Sequence, residues 1–441
     1  MRIKIGVISL GCSKNRVDTE TMLGALSEDF EFVNTIEAAD IAIINTCSFI
    51  NDAKEESINT ILEAEQQKKF GKLKGIIVTG CLTERFHDEL SQLMPRVDAF
   101  LGVAAYKDIV KAVYTVVNGE KYVSYEDLTI PEHFLPRIVT TPKPTAYVKI
   151  AEGCDNNCSY CVIPHIRGPL QSRKMEDILS ETHTLVENGY TEIIFIAQDT
   201  TEYGRDLYGI SKLPELLDKA AQIPGLKWLR ILYCYPERIT EELIDTMLRH
   251  ENIVKYIDMP IQHFDNEILS AMNRRNTYET TEKIIEMIRS KSDGFILRTT
   301  LITGFPGESR RALKIMYDAL HKFQFDRVGV FKYSQEEGTP AGEMDGQVSE
   351  DEKEFRRDAL VTVQAGISLA KNKLRIGMKY EVLVEGFDKE SGLYYGRSYA
   401  EAPDIDGKIF ISTTEKLAEG SFYKVCITHG YHYDLKGELC S

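Results

Sequence analysis

The 441-residue sequence contains no apolar run long enough to cross a membrane. A transmembrane helix needs roughly eighteen or more consecutive apolar residues, and every apolar stretch of this chain is shorter. The N-terminal residues Met1 to Lys4 lead directly into a strand-like run, without the cleavage region of a signal peptide. We therefore expect a globular protein of the cytoplasm.

Basic residues are outnumbered by acidic ones. The chain has 53 Lys and Arg against 68 Asp and Glu, which gives a formal net charge of -15. Proteins that bind a nucleic-acid backbone draw most of their affinity from Lys and Arg side chains that neutralise phosphates. The charge therefore argues against a long nucleic-acid footprint and favours a basic protein partner, although a local basic patch remains compatible with it.

Disulfides are not expected, despite nine cysteines, because thiols in the cytoplasm stay reduced. Six of the nine lie in patterned positions that indicate metal binding. The other three are Cys234, Cys426 and Cys440, which we interpret as buried or incidental thiols.

The most informative pattern is a CxxxCxxC loop formed by Cys154, Cys158 and Cys161. It directly follows a strand-like run from Thr145 to Ala151. Three thiolates on one loop can each bind one iron of a cubic 4Fe-4S cluster and leave the fourth iron without a protein ligand. Such an open iron can bind a substrate or cofactor.

Two alternatives compete with this interpretation of the loop. Structural zinc requires four ligands, usually as two separated pairs, and no fourth Cys or His stands at a matching offset. His165 is the nearest candidate, but Pro164 before it makes tight wrapping difficult. The other alternative is three reduced structural thiols in a turn. The cluster explains the spacing better than either.

A second cysteine triplet is spread over the first part of the chain. Three short runs rich in Ile and Val predict buried parallel strands, and a cysteine directly follows each run. The three cysteines are 35 and 34 residues apart along the chain. Ligands collect at the carboxyl edge of such sheets, so the three cysteines should converge on a second metal site. The alternative is that small thiols simply pack at strand ends. The runs and their cysteines are Ile5–Leu10 with Cys12, Ile41–Asn45 with Cys47, and Gly75–Thr79 with Cys81.

The chain is expected to form three domains, of which the first two are α/β and the third is a small β-barrel. Residues 1–136 predict a doubly wound parallel sheet, and the proline-containing segment Thr140–Pro144 reads as a linker. Residues 142–372 alternate strands and helices in six units, which predicts an open (βα)6 barrel with its site at the carboxyl ends of the strands. The six predicted strands are Tyr147–Ala151, Glu192–Ala197, Leu229–Tyr233, Tyr256–Met259, Gly294–Ile302 and Arg327–Tyr333.

Residues 376–441 change character. Four short β-prone runs separated by Gly, Asp and Pro turns predict a small antiparallel barrel of the OB type. The segment contains 11 acidic and seven basic residues, which suits a basic protein surface better than nucleic acid. The four runs are Lys379–Gly386, Leu393–Ser398, Lys408–Ile411 and Phe422–His429.

Taken together, the two cysteine triplets and the six-unit barrel resemble the radical S-adenosylmethionine methylthiotransferases over essentially the whole chain. The resemblance implies a C-terminal TRAM domain. Within the family the chain is most similar to the members that modify ribosomal protein S12, on the strength of GCSKNRVDTE at residues 11–20 and DMPIQH at residues 258–263. Members that modify tRNA typically carry Gln-Met-Asn after the first cysteine and a His-Leu-Pro-Val-Gln-Ser run in the barrel, and this chain has neither.

This resemblance implies two 4Fe-4S clusters and S-adenosylmethionine as cofactors. Cys154, Cys158 and Cys161 would hold the cluster that binds S-adenosylmethionine and, with an electron from a low-potential donor such as flavodoxin or ferredoxin, yields the 5'-deoxyadenosyl radical. Cys12, Cys47 and Cys81 would hold an auxiliary cluster that carries the sulfur. The implied reaction is methylthiolation of the β-carbon of an aspartate in ribosomal protein S12.

Two other functions stay open at this point. A tRNA methylthiotransferase that acts on the adenosine next to the anticodon would share every cluster cysteine. A redox or iron-sulfur storage protein is the third hypothesis, but storage has no need of a six-unit barrel around the cluster loop.

Further residues are candidates for contacts with S-adenosylmethionine. Tyr160 matches the aromatic position of the family loop, or else shields the cluster. Gln198 and Asp199 end the second barrel strand, where related enzymes contact the methionine amino group or the ribose, although a plain polar pair at a strand end is the alternative. Arg298 would pair with a carboxylate of cofactor or substrate, or form a surface salt bridge. Gly304 would let the backbone approach the adenosine.

Basic residues also follow the cluster loop. His165, Arg167 and Arg173 lie just beyond Cys161 and match the family pattern. There they would orient an anionic substrate aspartate or the cofactor carboxylate. For His165 a structural role is the alternative.

Overall fold

The computed structural model describes residues 2–125, 128 and 136–440. It contains a parallel sheet, a six-stranded open barrel and a closed five-stranded barrel, in this order along the chain. In the described ranges no helix is both long and apolar enough to span a membrane.

The N-terminal unit is a six-stranded parallel sheet in the order β2-β1-β3-β4-β5-β6. Its central strands β3 and β4 are fully buried because helices cover both faces. Helices α1 and α5 pack on one face, and α2, α3 and α4 pack on the other, so the predicted doubly wound sheet is confirmed. The strands are β1 Lys4–Ser9, β2 Glu31–Val33, β3 Ile41–Thr46, β4 Gly75–Gly80, β5 Ala99–Leu101 and β6 Tyr122–Ser124. The helices are α1 Ser13–Leu26, α2 Asn51–Phe70, α3 Cys81–Arg85, α4 His87–Leu93 and α5 Ile109–Val117.

The central unit contains all six predicted barrel strands, and their ends agree with the predicted ends to within two residues. They form two parallel three-stranded sheets, β11-β10-β7 and β12-β13-β14. A parallel bridge between Leu229 and Ile253 joins the two sheets, so the six strands follow one another around an open barrel. The strands of this unit, including the short antiparallel pair β8 and β9, are β7 Thr145–Lys149, β8 Ala151–Glu152, β9 Gln171–Ser172, β10 Glu192–Ile196, β11 Trp228–Ile231, β12 Tyr256–Asp258, β13 Ile296–Thr303 and β14 Arg327–Lys332.

Helices cover the outer surface of this barrel. The strand residues that point outward, such as Val148, Ile193 and Phe195, pack with helical side chains in the largest apolar core of the chain. The long helix α14 then leads from the barrel to the C-terminal unit. The helices are α6 Ile163–Arg167, α7 Met175–Glu187, α8 Arg205–Tyr208, α9 Leu213–Ala220, α10 Glu241–Arg249, α11 Asn266–Ala271, α12 Tyr278–Lys291, α13 Arg310–Phe323 and α14 Glu350–Leu374.

The C-terminal unit is a closed barrel in the order β15-β16-β17-β19-β18. It differs from the prediction in two respects. One of its pairings, β17 with β19, is parallel. A fifth strand, β19, was not predicted because its polar centre has low β propensity, yet Leu435 and Gly437 face the core. The strands are β15 Lys379–Asp388, β16 Leu393–Arg397, β17 Ile409–Ser412, β18 Phe422–Gly430 and β19 Leu435–Leu439.

The C-terminal barrel packs against the amino ends of the central strands. Arg397 forms an ion pair of 2.6 Å with Glu192, the first residue of β10. The ring of Phe422 contacts Trp228, the first residue of β11, edge to face at 4.8 Å. The cysteine loop follows the carboxyl end of β7. The amino ends of the barrel strands therefore contact the C-terminal barrel, and the cysteine loop lies at the opposite end.

Helix α1 of the N-terminal sheet packs against the open side of the central barrel. Asp18 forms an ion pair of 2.5 Å with Lys149 on β7. Val17 joins an apolar cluster with barrel residues that include Tyr147 and Ile196. No helix or strand crosses residues 136–144, the segment that contains the predicted linker Thr140–Pro144. The carboxyl edge of the sheet is thereby held next to the mouth of the barrel.

Candidate active site

Cys12, Cys47 and Cys81 stand just beyond the carboxyl ends of three neighbouring strands, β1, β3 and β4. The loops approach each other closely. Gly11 has a φ of +84°, and a side chain there would meet the Sγ of Cys47 at 2.8 Å. Only glycine fits such a position without strain. The sheet thus brings together three thiols that are far apart in sequence.

Asn15 holds the three cysteine loops in place. Its amide donates hydrogen bonds to the carbonyl oxygens of Leu10 at 3.0 Å and Thr46 at 2.9 Å. Its Oδ1 lies 3.6 Å from the Sγ of Cys81. Because Asn15 is fully buried in the first turn of α1, these bonds fix the loops relative to one another.

Arg167 connects this triplet to the central barrel. It ends α6, which begins two residues after Cys161, and it is buried. Its Nη2 lies 3.5 Å from the Sγ of Cys81 and 3.1 Å from Asp18, and its Nη1 lies 2.9 Å from Glu152. One guanidinium from the cluster loop of the barrel therefore reaches the cysteines of the other domain.

The ionisation of the three thiols depends on this guanidinium. Burial raises the pKa of Cys81 to about 12 and also raises the pKa of Cys47, while Arg167 acts against burial at both. Cys12 is exposed at the rim. Desolvation by the surrounding protein would raise the pKa of Cys12, but the cations of Lys14 and Arg167 outweigh the desolvation and lower this pKa. The positive charge thus favours the thiolate forms that bind metal.

In the barrel loop, Asn156 contacts the first cysteine. Its Nδ2 lies 3.4 Å from the Sγ of Cys154 and donates a 2.9 Å hydrogen bond to Asp199. Asp199 is in turn paired with Arg238 at 2.7 Å. Asp199 therefore sets the position of an amide that points at the sulfur of Cys154.

The second loop cysteine, Cys158, is flanked by a cation and a phenol. The guanidinium of Arg274 and the hydroxyl of Tyr235 each lie 3.8 Å from its Sγ. Arg274 also stacks over the ring of Tyr235, 4.2 Å from its centroid. A pocket of about 90 Å³ opens beside Cys158 and is lined by Asn156, Asn157, Tyr235, Glu237, Asn273, Arg274 and Arg275.

Both triplets fit a cubic iron-sulfur cluster. Each offers three thiols and a buried arginine next to sulfur, which compensates the negative charge of thiolate ligands. Burial raises the pKa of Cys154 to about 11 and that of Cys161 to about 12, so binding of metal must release protons. In the described part of the chain, no group of three or more His, Cys, Asp or Glu side chains is arranged to bind a single metal ion. A cubic cluster needs no such cage, since each thiolate binds a different iron.

A chain of contacts runs from one triplet to the other. Gln198 donates a hydrogen bond to Glu152, which is paired with Arg167 next to Cys81. The adjacent residue Asp199 leads through Asn156 to Cys154. The predicted pair Gln198 and Asp199 therefore lies between the two cysteine triplets.

Tyr160 also lies next to the cluster loop. It packs against Phe305 and Tyr333 in a small apolar cluster. Burial, followed by the proximity of Cys158, raises the pKa of its hydroxyl well above the usual value. The ring is therefore a neutral wall of the site.

Two predicted cofactor contacts are engaged within the protein. Arg298 forms an ion pair of 2.6 Å with Asp258, as in the salt-bridge alternative, but the pair is largely buried and does not lie on the surface. Gly304 donates its N–H to Glu308 at 2.7 Å, and a side chain at its α-carbon would clash with the side chain of Lys353. The absence of a side chain at Gly304 therefore makes room for Lys353 of α14.

The remaining basic residues after the loop have separate positions. His165 is exposed, whereas Arg173 pairs with Glu181 at 2.6 Å. Sequence reasoning missed Asn15, Tyr235, Arg238 and Arg274. Asn15 stands within the quoted motif after Cys12, but the other three carry no local signal, because only the fold brings them to the loop.

Family models match three parts of the chain. Residues 4–102 match the uncharacterized protein family UPF0004, residues 148–320 match the radical SAM superfamily, and residues 376–440 match the TRAM domain. These ranges correspond to the sheet, the open barrel and the closed barrel.

Solved structures share the fold. The radical S-adenosylmethionine methyltransferase TsrM from Kitasatospora setae, with tryptophan and a SAM analogue bound, superimposes with a TM-score of 0.55 at 14% identity and covers 75% of this chain and 73% of its own. The cobalamin-dependent S-adenosylmethionine radical enzyme OxsB superimposes with a TM-score of 0.51 at 12% identity and covers 90% of this chain and 64% of its own. At such identities the similarity concerns the fold alone.

Curated relatives match over the full length. The ribosomal protein uS12 methylthiotransferase RimO of Acetivibrio thermocellus is 47% identical and covers 100% of this chain and 99% of its own. The enzyme of the same name from Desulforamulus reducens is 48% identical and covers 99% of both chains. With its two cysteine triplets held at one cleft, the chain belongs to the RimO family of radical SAM methylthiotransferases.

Proposed function

We propose that this protein attaches a methylthio group to the β-carbon of an aspartate in ribosomal protein uS12. One observation carries the proposal: the contact chain from Cys81 through Arg167, Glu152, Gln198, Asp199 and Asn156 to Cys154, which connects the two triplets. The full-length relatives that are named uS12 methylthiotransferases support the same substrate.

In this proposal the cofactors are two 4Fe-4S clusters and S-adenosylmethionine. Residues 142–372 bind one cluster through Cys154, Cys158 and Cys161, and residues 1–136 bind the other through Cys12, Cys47 and Cys81. Residues 376–441 form the TRAM domain. When bound, the barrel cluster and S-adenosylmethionine supply a carbon-centred radical that removes hydrogen from the substrate, and the second cluster supplies sulfur.

Arg167 holds the two cysteine sets in register. Its charge is balanced by Asp18 from the sheet domain and Glu152 from the barrel. A buried, doubly paired guanidinium is rigid, because its Nη1 and Nη2 groups are directed to acceptors on both domains. The distance between the two reaction sites is therefore set by a protein contact.

The loop contacts shape the S-adenosylmethionine site. Asp199 orients Asn156, and Gln198 presents a buried Oε1 that has no hydrogen-bond partner among the described residues. Such an unpaired acceptor is costly unless a ligand donates to it. We assign Gln198 to the methionine amino group and Tyr160 to the wall of the adenosine site. Arg298 and Gly304 act from further away, as supports for the site.

Partners and location follow from this reaction. The protein uses a low-potential electron donor of the flavodoxin or ferredoxin type and acts in the cytoplasm, where ribosomal proteins are found. The acidic net charge of -15 suits a basic ribosomal protein as the substrate.

A direct comparison of substrates tests the proposal. The enzyme, reconstituted with iron and sulfide without oxygen, is incubated with S-adenosylmethionine, a reductant and either a uS12 peptide that contains the target aspartate or unmodified tRNA. We expect mass spectrometry to find one methylthio group in place of one hydrogen on the aspartate. Modification of tRNA, with none of the peptide, would reject the assignment.

A further inference from the structure

Lys14 is a buried cation at the boundary between the sheet domain and the barrel. It lies in the first turn of α1, two residues after Cys12, and only 8% of it is exposed. Its Nζ stands 3.4 Å from the ring centroid of Tyr233, which follows the carboxyl end of β11. The side chain therefore crosses from the auxiliary cysteines into the mouth of the barrel.

No carboxylate balances this charge. Among the described residues, the ammonium forms no ion pair with an Asp or Glu; the ring of Tyr233 is its close partner, and the thiol of Cys12 is the acidic group beside it. A cation over an aromatic face gains much less free energy than the cost of removing an ammonium from water. Other cations at this boundary do have carboxylate partners, namely Lys54, Arg85, Arg137, Lys149 and Arg167.

Tyr233 gives the ammonium a fixed support. Its φ is +64°, a left-handed conformation that residues other than glycine rarely adopt. The backbone is held there by a 3.0 Å hydrogen bond from its N–H to Asp258 and by its carbonyl, which accepts from Thr200 at 3.0 Å. Strain of this kind persists where the surroundings require one geometry. Lys14 is thus held in place without a carboxylate partner.

We infer that Lys14 binds the carboxylate of the substrate aspartate. This inference rests on the proposed function. The β-carbon of aspartate is bonded directly to its carboxylate carbon, so a cation that holds the carboxylate also fixes the reacting carbon. The position beside Cys12 is where sulfur would be delivered. An adenosine offers no carboxylate, so Lys14 selects a protein substrate.

The test measures peptide binding to the reconstituted enzyme by fluorescence anisotropy. Two uS12 peptides are compared, one with the target aspartate and one with asparagine in its place. A charge-assisted hydrogen bond contributes about 1.5–3 kcal/mol, so we expect the wild type to bind the aspartate peptide roughly 10- to 100-fold more tightly. Lys14→Met should abolish this preference, and Lys14→Arg should retain most of it.

Controls separate the possible results. Lys72→Met changes an exposed lysine of the same domain and should leave both affinities unchanged. Iron content per chain checks that each variant is folded and loaded. If Lys14→Met weakened both peptides equally, the lysine would serve the sulfur or the cluster, and the inference would be wrong.

The wild type alone also decides the question, even if a variant fails to fold. Equal affinity of the wild type for the two peptides would overturn the inference and leave the proposed function intact, provided that the aspartate is modified. Failure to bind or modify either peptide would reject the proposed function as well.

Discussion

The guanidinium of Arg167 lies 3.5 Å from the sulfur of Cys81, although the two residues belong to different domains. The same side chain is paired with Asp18 on the sheet side and Glu152 on the barrel side. Two partial sites, each with three thiols, are thereby joined into one cleft by a single buried charge.

Removal of Arg167 should weaken the contact between the domains. Arg167→Ala leaves the carboxylates of Asp18 and Glu152 with Lys149 as their remaining cationic partner, and loss of one member of a buried ion pair costs about 3–5 kcal/mol. We expect this decrease in the free energy of unfolding, measured in urea. As a control, Lys314→Ala removes an exposed pair with Asp318 and should cost about 1 kcal/mol or less. Equal effects of the two substitutions would contradict the structural role of Arg167.

The two triplets should be separable by iron content and activity. The wild type should bind about eight irons per chain, in two clusters of four. Replacement of Cys154, Cys158 and Cys161 by Ala should leave about four irons and abolish cleavage of S-adenosylmethionine. Cleavage that persists in this triple variant would reject the radical site.

The complementary variant tests the auxiliary site. Replacement of Cys12, Cys47 and Cys81 by Ala should also leave about four irons, preserve cleavage and block sulfur insertion. The control is Cys440→Ala, which should retain all the iron, since this cysteine lies in the C-terminal barrel. Full methylthiolation by the auxiliary triple variant would refute the assignment of these cysteines.

The hydrogen bond from Asn156 should tune the barrel cluster. Hydrogen bonds to sulfur stabilise the reduced, more negative form of a cluster. Asn156→Ala should therefore shift the reduction potential to a more negative value, as measured by redox titration with EPR detection. Asn157→Ala, at the exposed neighbouring position, should leave the potential unchanged. A potential that did not move in Asn156→Ala would show that the amide does not reach the cluster.

The attachment of the C-terminal barrel should depend on pH through Glu192. Burial would raise the pKa of this carboxyl, but Arg397 and Arg230 outweigh burial and lower it to about 2. Because the folded pKa lies below the unfolded value of about 4.3, the group stabilises the fold at neutral pH, and this contribution disappears as the pH falls from about 5 towards 2. The shift corresponds to a contribution on the order of 3 kcal/mol at pH 7.

Urea unfolding at several pH values checks this expectation. The difference in stability between the wild type and Glu192→Gln should be largest at pH 7 and narrow as the pH falls below 5. Glu381→Gln is the control, because Glu381 is about half exposed and its pair with Lys227 spans 3.4 Å. A difference for Glu192→Gln that does not vary with pH would contradict the lowered pKa.

Much of the fold could be predicted because its signals are local. Short Ile- and Val-rich runs such as Ile41–Thr46 specify buried parallel strands, and all six barrel strands followed from the same pattern. Strand β19 escaped prediction, since Lys436 and Glu438 mask the alternation of Leu435, Gly437 and Leu439. Its register is set by pairing with β17 and β18 across the closed barrel.

The sequence by itself determined which residues carry the thiols. Cys154, Cys158 and Cys161 share one loop, so their proximity follows from covalent connection, and the spacing of Cys12, Cys47 and Cys81 follows the βαβ repeat. Only the tertiary structure decided what faces them. The contacts of Arg167 with Cys81, of Arg274 with Cys158 and of Lys14 with Tyr233 join residues that are distant along the chain. Such contacts depend on how the domains pack, for which no local pattern codes.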